Sequence, residues 1–588
     1  MNDIRRTILW VIFGFSMVLL WDQWQIFNGN KATFFPSSTS VASKATPASP
    51  SASATAVPTG QAGISAVPPA AAPAQVPSAA AAVPGQSGAR PTTTPSASKE
   101  RLVVNTDVLT LTFDTDGGSL VRSAFPRHKD MTDRASDFVL LDESTARVYL
   151  VQSGLIASGT GGSFPTHKTP MTVVPGERQL KDGQDTLEVK FESAEVGGVK
   201  LVKTYTLKRG SYDMVVRHEV LNTGTSPVSP QLYLQLVRDG NPPEGESAFY
   251  FTFTGPVVYT EAKKYQKVDF KDIKNNKVDI EKESSNGYIA MVQHYFASAW
   301  ILPDGVKRNL SMAEVDIGMP VADCCYRVTM IAPLEAISPG ATKTIDAKLF
   351  IGPQEEKALE ALAPGLELVK DYGWLTILAK PLYWLLYWLH SFIHNWGWSI
   401  VALVLLLKIA FYWLNAKAYA SMAKMKKVNP KIMEMRERLK DKPQEMQVAM
   451  MKIYKEEKVN PMGGCFPIMI QIPVFIALYW VLLSSVEMRN APWTLWIKDL
   501  SSPDPYFILP VVMTLTTMLQ TALNPTPPDP MQAKLMWFMP LIFSVMFFFF
   551  PAGLVLYWIT NNVLSIAQQW VINTRMGVPP QFNLPKFK

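Results

Sequence analysis

The chain has 588 residues, 48% of them hydrophobic and 18% charged, with a net charge of +7 and three cysteines. That charged share is below the quarter usual in soluble domains, and the apolar residues gather at the N-terminus and beyond residue 374, so a wholly soluble protein is excluded. Adjacent Cys324 and Cys325 rarely pair without strain. Cys465 stands at the edge of an apolar run, and His390 and His394 have no third ligand nearby. Neither a disulfide framework nor a metal site is expected.

Residues 1–27 carry Arg5 and Arg6, an apolar stretch over 8–20, and then Trp21-Asp22-Gln23-Trp24. A cleaved signal peptide would show a small-x-small site. None follows, and the tryptophans suit a membrane–water interface, so this segment reads as a retained transmembrane anchor. Residues 28–99 are largely Ala, Pro, Ser, Thr and Gly. Such a stretch buries too little apolar area to offset the entropy of ordering and reads as a disordered linker.

Residues 100–352 change character. Apolar and polar residues alternate over 109–113, 202–207 and part of 214–220, with turn signals at Asp116-Gly117-Gly118 and Arg209-Gly210. This pattern predicts a large antiparallel β sandwich. No catalytic motif stands out, and its carboxylates and aromatics read as solvated faces and core.

Beyond this the chain reads as membrane-like. Residues 353–395 form a connection and, over 374–393, an amphipathic interfacial helix. Residues 396–415 form a span interrupted by Lys408, and 416–460 a charged helical hairpin. Spans follow at 464–484, 506–523, 534–550 and 554–571, each near the ~20 residues a bilayer requires. A loop over 485–505 and a tail over 572–588 complete the chain. The fold class is thus an α-helical membrane core, six transmembrane helices in total, plus an all-β domain.

Basic residues orient it. Arg5 and Arg6 put the N-terminus in the cytoplasm, so the β domain lies outside. The 416–460 segment holds twelve Lys or Arg and belongs inside, as do Arg575, Lys586 and Lys588. In that hairpin Met422, Met425, Val428, Ile432, Met435 and Leu439 recur every three or four residues, and Met446, Met450 and Ile453 continue after Asp441-Lys442-Pro443. The spacing predicts two antiparallel helices, with Pro430 kinking or delaying the first. The methionines form the seam, or an adaptable surface for apolar clients; Lys426 and Lys427 flank them.

An ionised residue inside a span costs roughly 2.5–3.5 kcal/mol on insertion scales and is a functional candidate. Lys408 lies some six to eight residues, about 9–12 Å, from the cytoplasmic end of its span, a long reach for snorkelling. Gln471, Thr514, Thr517, Gln520, Ser544, Thr560, Asn561 and Asn562 also fall at membrane depth. Interhelical hydrogen bonding explains part of that set.

Five motifs carry a resemblance. They are Asp371-Tyr372-Gly373-Trp374, Ser421-Met422-Ala423-Lys424-Met425, the run Asn460-Pro461-Met462-Gly463-Gly464-Cys465-Phe466-Pro467-Ile468-Met469-Ile470-Gln471-Ile472-Pro473-Val474-Phe475, Asp529-Pro530-Met531-Gln532, and Pro551-Ala552-Gly553-Leu554-Val555-Leu556-Tyr557. In this order they resemble the YidC membrane-insertase family over about residues 365–575. The anchor, linker and β domain are similar to its Gram-negative members, whose periplasmic domain is a β-supersandwich. The resemblance implies a protein that inserts, folds and helps assemble integral membrane proteins, alone or with the Sec translocon, without covalent chemistry or cofactor. It implies a hydrophilic groove open to cytoplasm and lipid, with Lys408 at the position of the groove cation and Tyr557 at that of a groove aromatic. Trp558 stands where Tyr is common and Val404 where Thr is frequent. Gln471, Thr517 and Asn562 join the client-binding set. Implied partners are nascent membrane proteins, the Sec translocon, ribosome and signal recognition particle machinery, and membrane lipids, with no nucleic-acid recognition. The tail after Met576 is short and weakly basic, unlike the long ribosome-binding tail of some relatives. A secondary transporter or channel is the alternative, but no internal repeat is visible. A tethered carbohydrate enzyme would leave the spans unexplained.

Overall fold

Strands Val199–Lys208 and Asp213–Asn222 bury every second residue or nearly so, because successive side chains on a strand point to opposite faces. They pair antiparallel with each other and hold the stretches read from alternation. The computed structural model describes residues 100–578 and 582, apart from 132, 159–162, 244–251, 440–441, 458–465 and 525–529. The anchor over 1–27 and the linker over 28–99 lie outside the described residues.

Two antiparallel sheets form the expected sandwich. One has ten strands, with Arg101–Asn105 at one edge and Pro230–Arg238 near its centre; the other has nine, from Lys264–Lys267 to Met171–Val173. Their inner faces share one apolar cluster that includes Phe113, Leu155, Leu201, Leu234, Ile289, Trp300 and Leu349. At the turn between Thr110–Asp114 and Ser119–Lys129, Gly117 has φ +67° and a Cβ there would meet the His167 backbone at 2.3 Å, so only glycine fits.

Strands Tyr288–Gln293 and Phe296–Ile301 do not alternate; every residue is buried. Their second face is covered by helix α2 (Glu356–Leu362), which follows the short helix α1 (Phe270–Lys274), and by a 3-10 turn at Leu366–Val369.

One core position is a lysine. Lys203 follows the inward period of its strand and is fully buried, its ammonium donating to Gly117 O at 2.6 Å and Ser153 O at 2.7 Å. Burial pulls its pKa down to about 7. Beside it His218 is also buried, 3.0 Å from Ser153 Oγ, and burial lowers its pKa to about 3.

The helical part begins with α3 (Thr376–Ile393), whose Ala379, Tyr383, Leu386 and Leu389 are buried while Ile377, Trp384, Trp388 and Phe392 are exposed. Then come α4 (Trp396–Ala410), capped by the Asn395 side chain, and α5 (Tyr412–Arg438). After them lie α6 (Pro443–Glu456), α7 (Phe466–Ser484), α8 (Ile508–Leu523), α9 (Pro530–Met546) and α10 (Ala552–Arg575).

Among the described residues no single helix is long and apolar enough to cross a membrane by length and composition, although α4 and α5 pass together across a 69° bend. The stretch read as one span over 396–415 is therefore broken at Phe411. Next to the break, Gln568 of α10 donates to Tyr412 O at 3.4 Å, a side chain entering the backbone ladder where a helix bends. The chain runs helically through Pro430.

Candidate functional site

The bend changes the setting of Lys408. It sits in the last turn of α4, two residues before the helix ends at Ala410, and not well inside a continuous span. There the unpaired carbonyls of the helix end favour a cation. Its Nζ does not run to the surface; it donates to Ser565 Oγ on α10 at 2.7 Å.

Val404, Leu407, Lys408, Phe411, Leu414 and Asn415 form one wall of an open pocket of about 40 Å³, and Gln471 and Val474 of α7 with Tyr557 and Asn561 of α10 form the other. Gln471 Nε2 donates to Asn561 Oδ1 at 2.6 Å, and Ser565 Oγ donates to Asn561 O at 2.6 Å. The polar groups thus form a chain from Gln471 through Asn561 and Ser565 to Lys408, set in apolar walls. None of these groups is arranged as a nucleophile with a base.

The six groove candidates do not share one site. Lys408, Gln471 and Tyr557 meet in this pocket. Thr517 and Trp558 instead line a second, almost wholly apolar cavity of about 590 Å³ with Phe475, Met513, Met539 and Phe547. Asn562 is buried between α10 and α8, donating to Thr517 Oγ1 at 2.8 Å. Phe475 separates the two spaces, 5.8 Å from the Tyr557 ring and edge-on to Trp558 at 4.7 Å. Asn561 was noted at membrane depth but not placed in the groove, and Ser565 was not noted. Their signal was present in the sequence, since Tyr557, Asn561 and Ser565 recur every four residues on one helical face.

In the hairpin, Met425, Val428 and Ile432 of α5 pack with Met450, Ile453 and Tyr454 of α6. Met422 and Met435 are half-buried outside that cluster, and Met433 and Met451 are the exposed methionines. Lys426 is half-buried. Lys427 Nζ donates to Met576 O at 3.1 Å, tying the hairpin to the end of α10.

Two family descriptions match: "YidC periplasmic domain" over residues 101–385 and "60Kd inner membrane protein" over 388–578. The "Membrane protein insertase YidC" of Cupriavidus necator is 53% identical over 579 residues, 98% of each chain. The chain belongs to the YidC family. The protein of the same name from Janthinobacterium sp. is 48% identical over 589 residues, 98% of this chain and 100% of that one. That from Bordetella pertussis is 50% identical over 575 residues. The crystal structure "Active YidC insertase crystal structure with the first transmembrane domain resolved" is 20% identical with a TM-score of 0.37, covering 80% of this chain and 92% of that one.

Proposed function

We propose that the chain inserts and folds membrane proteins at the cell inner membrane, and that the pocket around Lys408 is where a client's polar segment is received. The observation that carries this is the Lys408 ammonium turned inward onto Ser565, in a pocket walled by Val404, Leu407, Phe411 and Val474. A cation kept among apolar walls draws in water and attracts acidic segments. The 15 residues of α4 span about 22 Å against a hydrocarbon depth of ~30 Å, which supports a shortened apolar barrier at this point. The client's apolar helix then leaves sideways into lipid, downhill by about 0.8 kcal/mol per buried CH₂.

In this reading the chain crosses the membrane six times, both termini are cytoplasmic and the β domain is periplasmic. Nascent membrane proteins are the clients. The Sec translocon, ribosome, signal recognition particle machinery and lipids are the surroundings in which it works. Gln471, Asn561 and Tyr557 line the client path, and the apolar space beside Thr517 and Trp558 accompanies it.

A photocrosslinker placed at Leu407 or Val474, on the pocket wall, is expected to capture a ribosome-stalled nascent membrane protein. One at Leu515, on the exposed face of α8, is expected to capture much less. Equal capture from all three positions would refute the pocket as the client site.

A further inference from the structure

The loop that joins α7 to α8 is built into the β domain. Val486, only 2% exposed, belongs to the apolar cluster of the sandwich. The Arg489 guanidinium lies 4.6 Å from the Phe138 ring centre and 5.3 Å from that of Phe296, and donates to Lys129 O at 2.6 Å. His294 Nε2 stands 2.9 Å from Leu483 O in the last turn of α7. Burial lowers the His294 pKa to about 4, so the ring is neutral at pH 7 and Nε2 carries the proton toward that carbonyl.

Between these contacts sits an ion pair. Glu487 accepts from Lys370 Nζ at 3.2 Å to each carboxylate oxygen and from Tyr383 OH at 2.5 Å. The Lys370 side chain is 0% exposed, and its ammonium lies 3.9 Å from the Tyr383 ring centre.

We infer that Lys370, Tyr383 and Glu487 are positioning residues: a clamp that fixes the outer end of α7 and so sets where Gln471 meets Asn561. This rests on the pocket reading above. Apolar packing alone tolerates small shifts, but a buried ammonium left without its carboxylate is heavily penalised, so the pair defines one position for Glu487. That residue lies three beyond Ser484, the last of α7. Gln471 is 13 residues further back along the same helix, about 20 Å at 1.5 Å per residue, so a tilt of about 6° about the clamped end moves it by ~2 Å. A shift of that size breaks its 2.6 Å hydrogen bond to Asn561.

The test reads helix placement directly. Gln471→Cys and Asn561→Cys are introduced into the full-length protein, with Cys324, Cys325 and Cys465 replaced by alanine, and joined in native membranes by a short bifunctional thiol reagent. Glu487→Gln, which leaves the buried ammonium without its carboxylate, is expected to slow the crosslink by about tenfold, and Lys370→Met and Tyr383→Phe by less. The swap Lys370→Glu with Glu487→Lys is expected to recover most of the rate, which general unfolding would not. If Glu487→Gln fails to accumulate, Lys370→Met and Tyr383→Phe decide. An unchanged crosslinking rate in the single variants, or no recovery in the swap, overturns the clamp. Slowed crosslinking, with client insertion unimpaired when the same clamp variants are made with native Gln471 and Asn561, upholds the clamp and refutes the pocket reading. Normal crosslinking together with inactive Lys408 variants does the reverse.

Discussion

Lys408→Glu places an anion where an ammonium now rests 2.7 Å from Ser565 Oγ. At an effective dielectric of about 20, a client carboxylate ~5 Å away is attracted to the lysine by about 3 kcal/mol and repelled by a glutamate by as much. The pocket is open on one side, and water and salt reduce both terms. Clients with acidic translocated segments are therefore expected to insert about 10- to 100-fold more slowly, a rise of ~1.4–2.7 kcal/mol in the barrier. Clients with neutral segments slow less, since they lose only hydration. Lys408→Arg keeps charge and water and preserves activity. Lys408→Leu falls between, because Gln471 and Asn561 still hydrate the walls. The assay is insertion of a single- or double-span client into vesicles holding equal amounts of each variant. If the Leu and Glu variants match the parent for every client, Lys408 is only a residue satisfied at a helix end and the mechanism fails.

The buried lysine of the sandwich gives a pH dependence. Lys203 has a folded pKa of about 7 against an ordinary 10.5, so between those values the unfolded chain binds more protons and stability rises with pH, by up to ~1.4 kcal/mol per unit. Pulse proteolysis in urea between pH 7 and 9 should show that slope, and Lys203→Met should flatten it; a flat parent profile contradicts the assignment. A cysteine replacing Lys427 is expected to resist an impermeant thiol reagent in intact spheroplasts, and labelling without lysis would overturn the cytoplasmic hairpin. Deleting residues 100–340 removes the sandwich but keeps Lys370, Tyr383 and Glu487, so insertion is expected to persist; its loss at normal protein levels would make the β domain part of the engine.

The β sandwich was legible because alternation over 202–207 and the glycines at 117 and 118 report strand and turn directly. The family was legible because the long run at 460–475 and the Pro551–Tyr557 motif are specific. The depth of Lys408 was not, since hydropathy runs on across residues 396–415 and nothing at Phe411, neither proline nor glycine, announces a 69° bend. The division of the groove candidates between two cavities follows from how Phe475 packs, which spacing along a helix does not encode. The burial of Lys203 was not read from its alternating strand. Its inward period was readable, but its carbonyl partners come from Gly117 and Ser153, far away in the chain. Glu487 and Arg489 sat in what read as a connecting loop, because their partners are also distant in sequence.

The place of Val486 in the sandwich cluster has a consequence for the order in which the protein is made. Synthesis delivers the β strands first, yet one wall of their apolar interior comes from a residue beyond α7. Until the end of α7 has reached the sandwich, that interior has a gap whose filling is worth about 1.5–3 kcal/mol, the value of burying one such side chain. The sandwich therefore reaches its full stability only when the helix beside it is in place, so its completed core reports on the folding of a segment made well after its own strands.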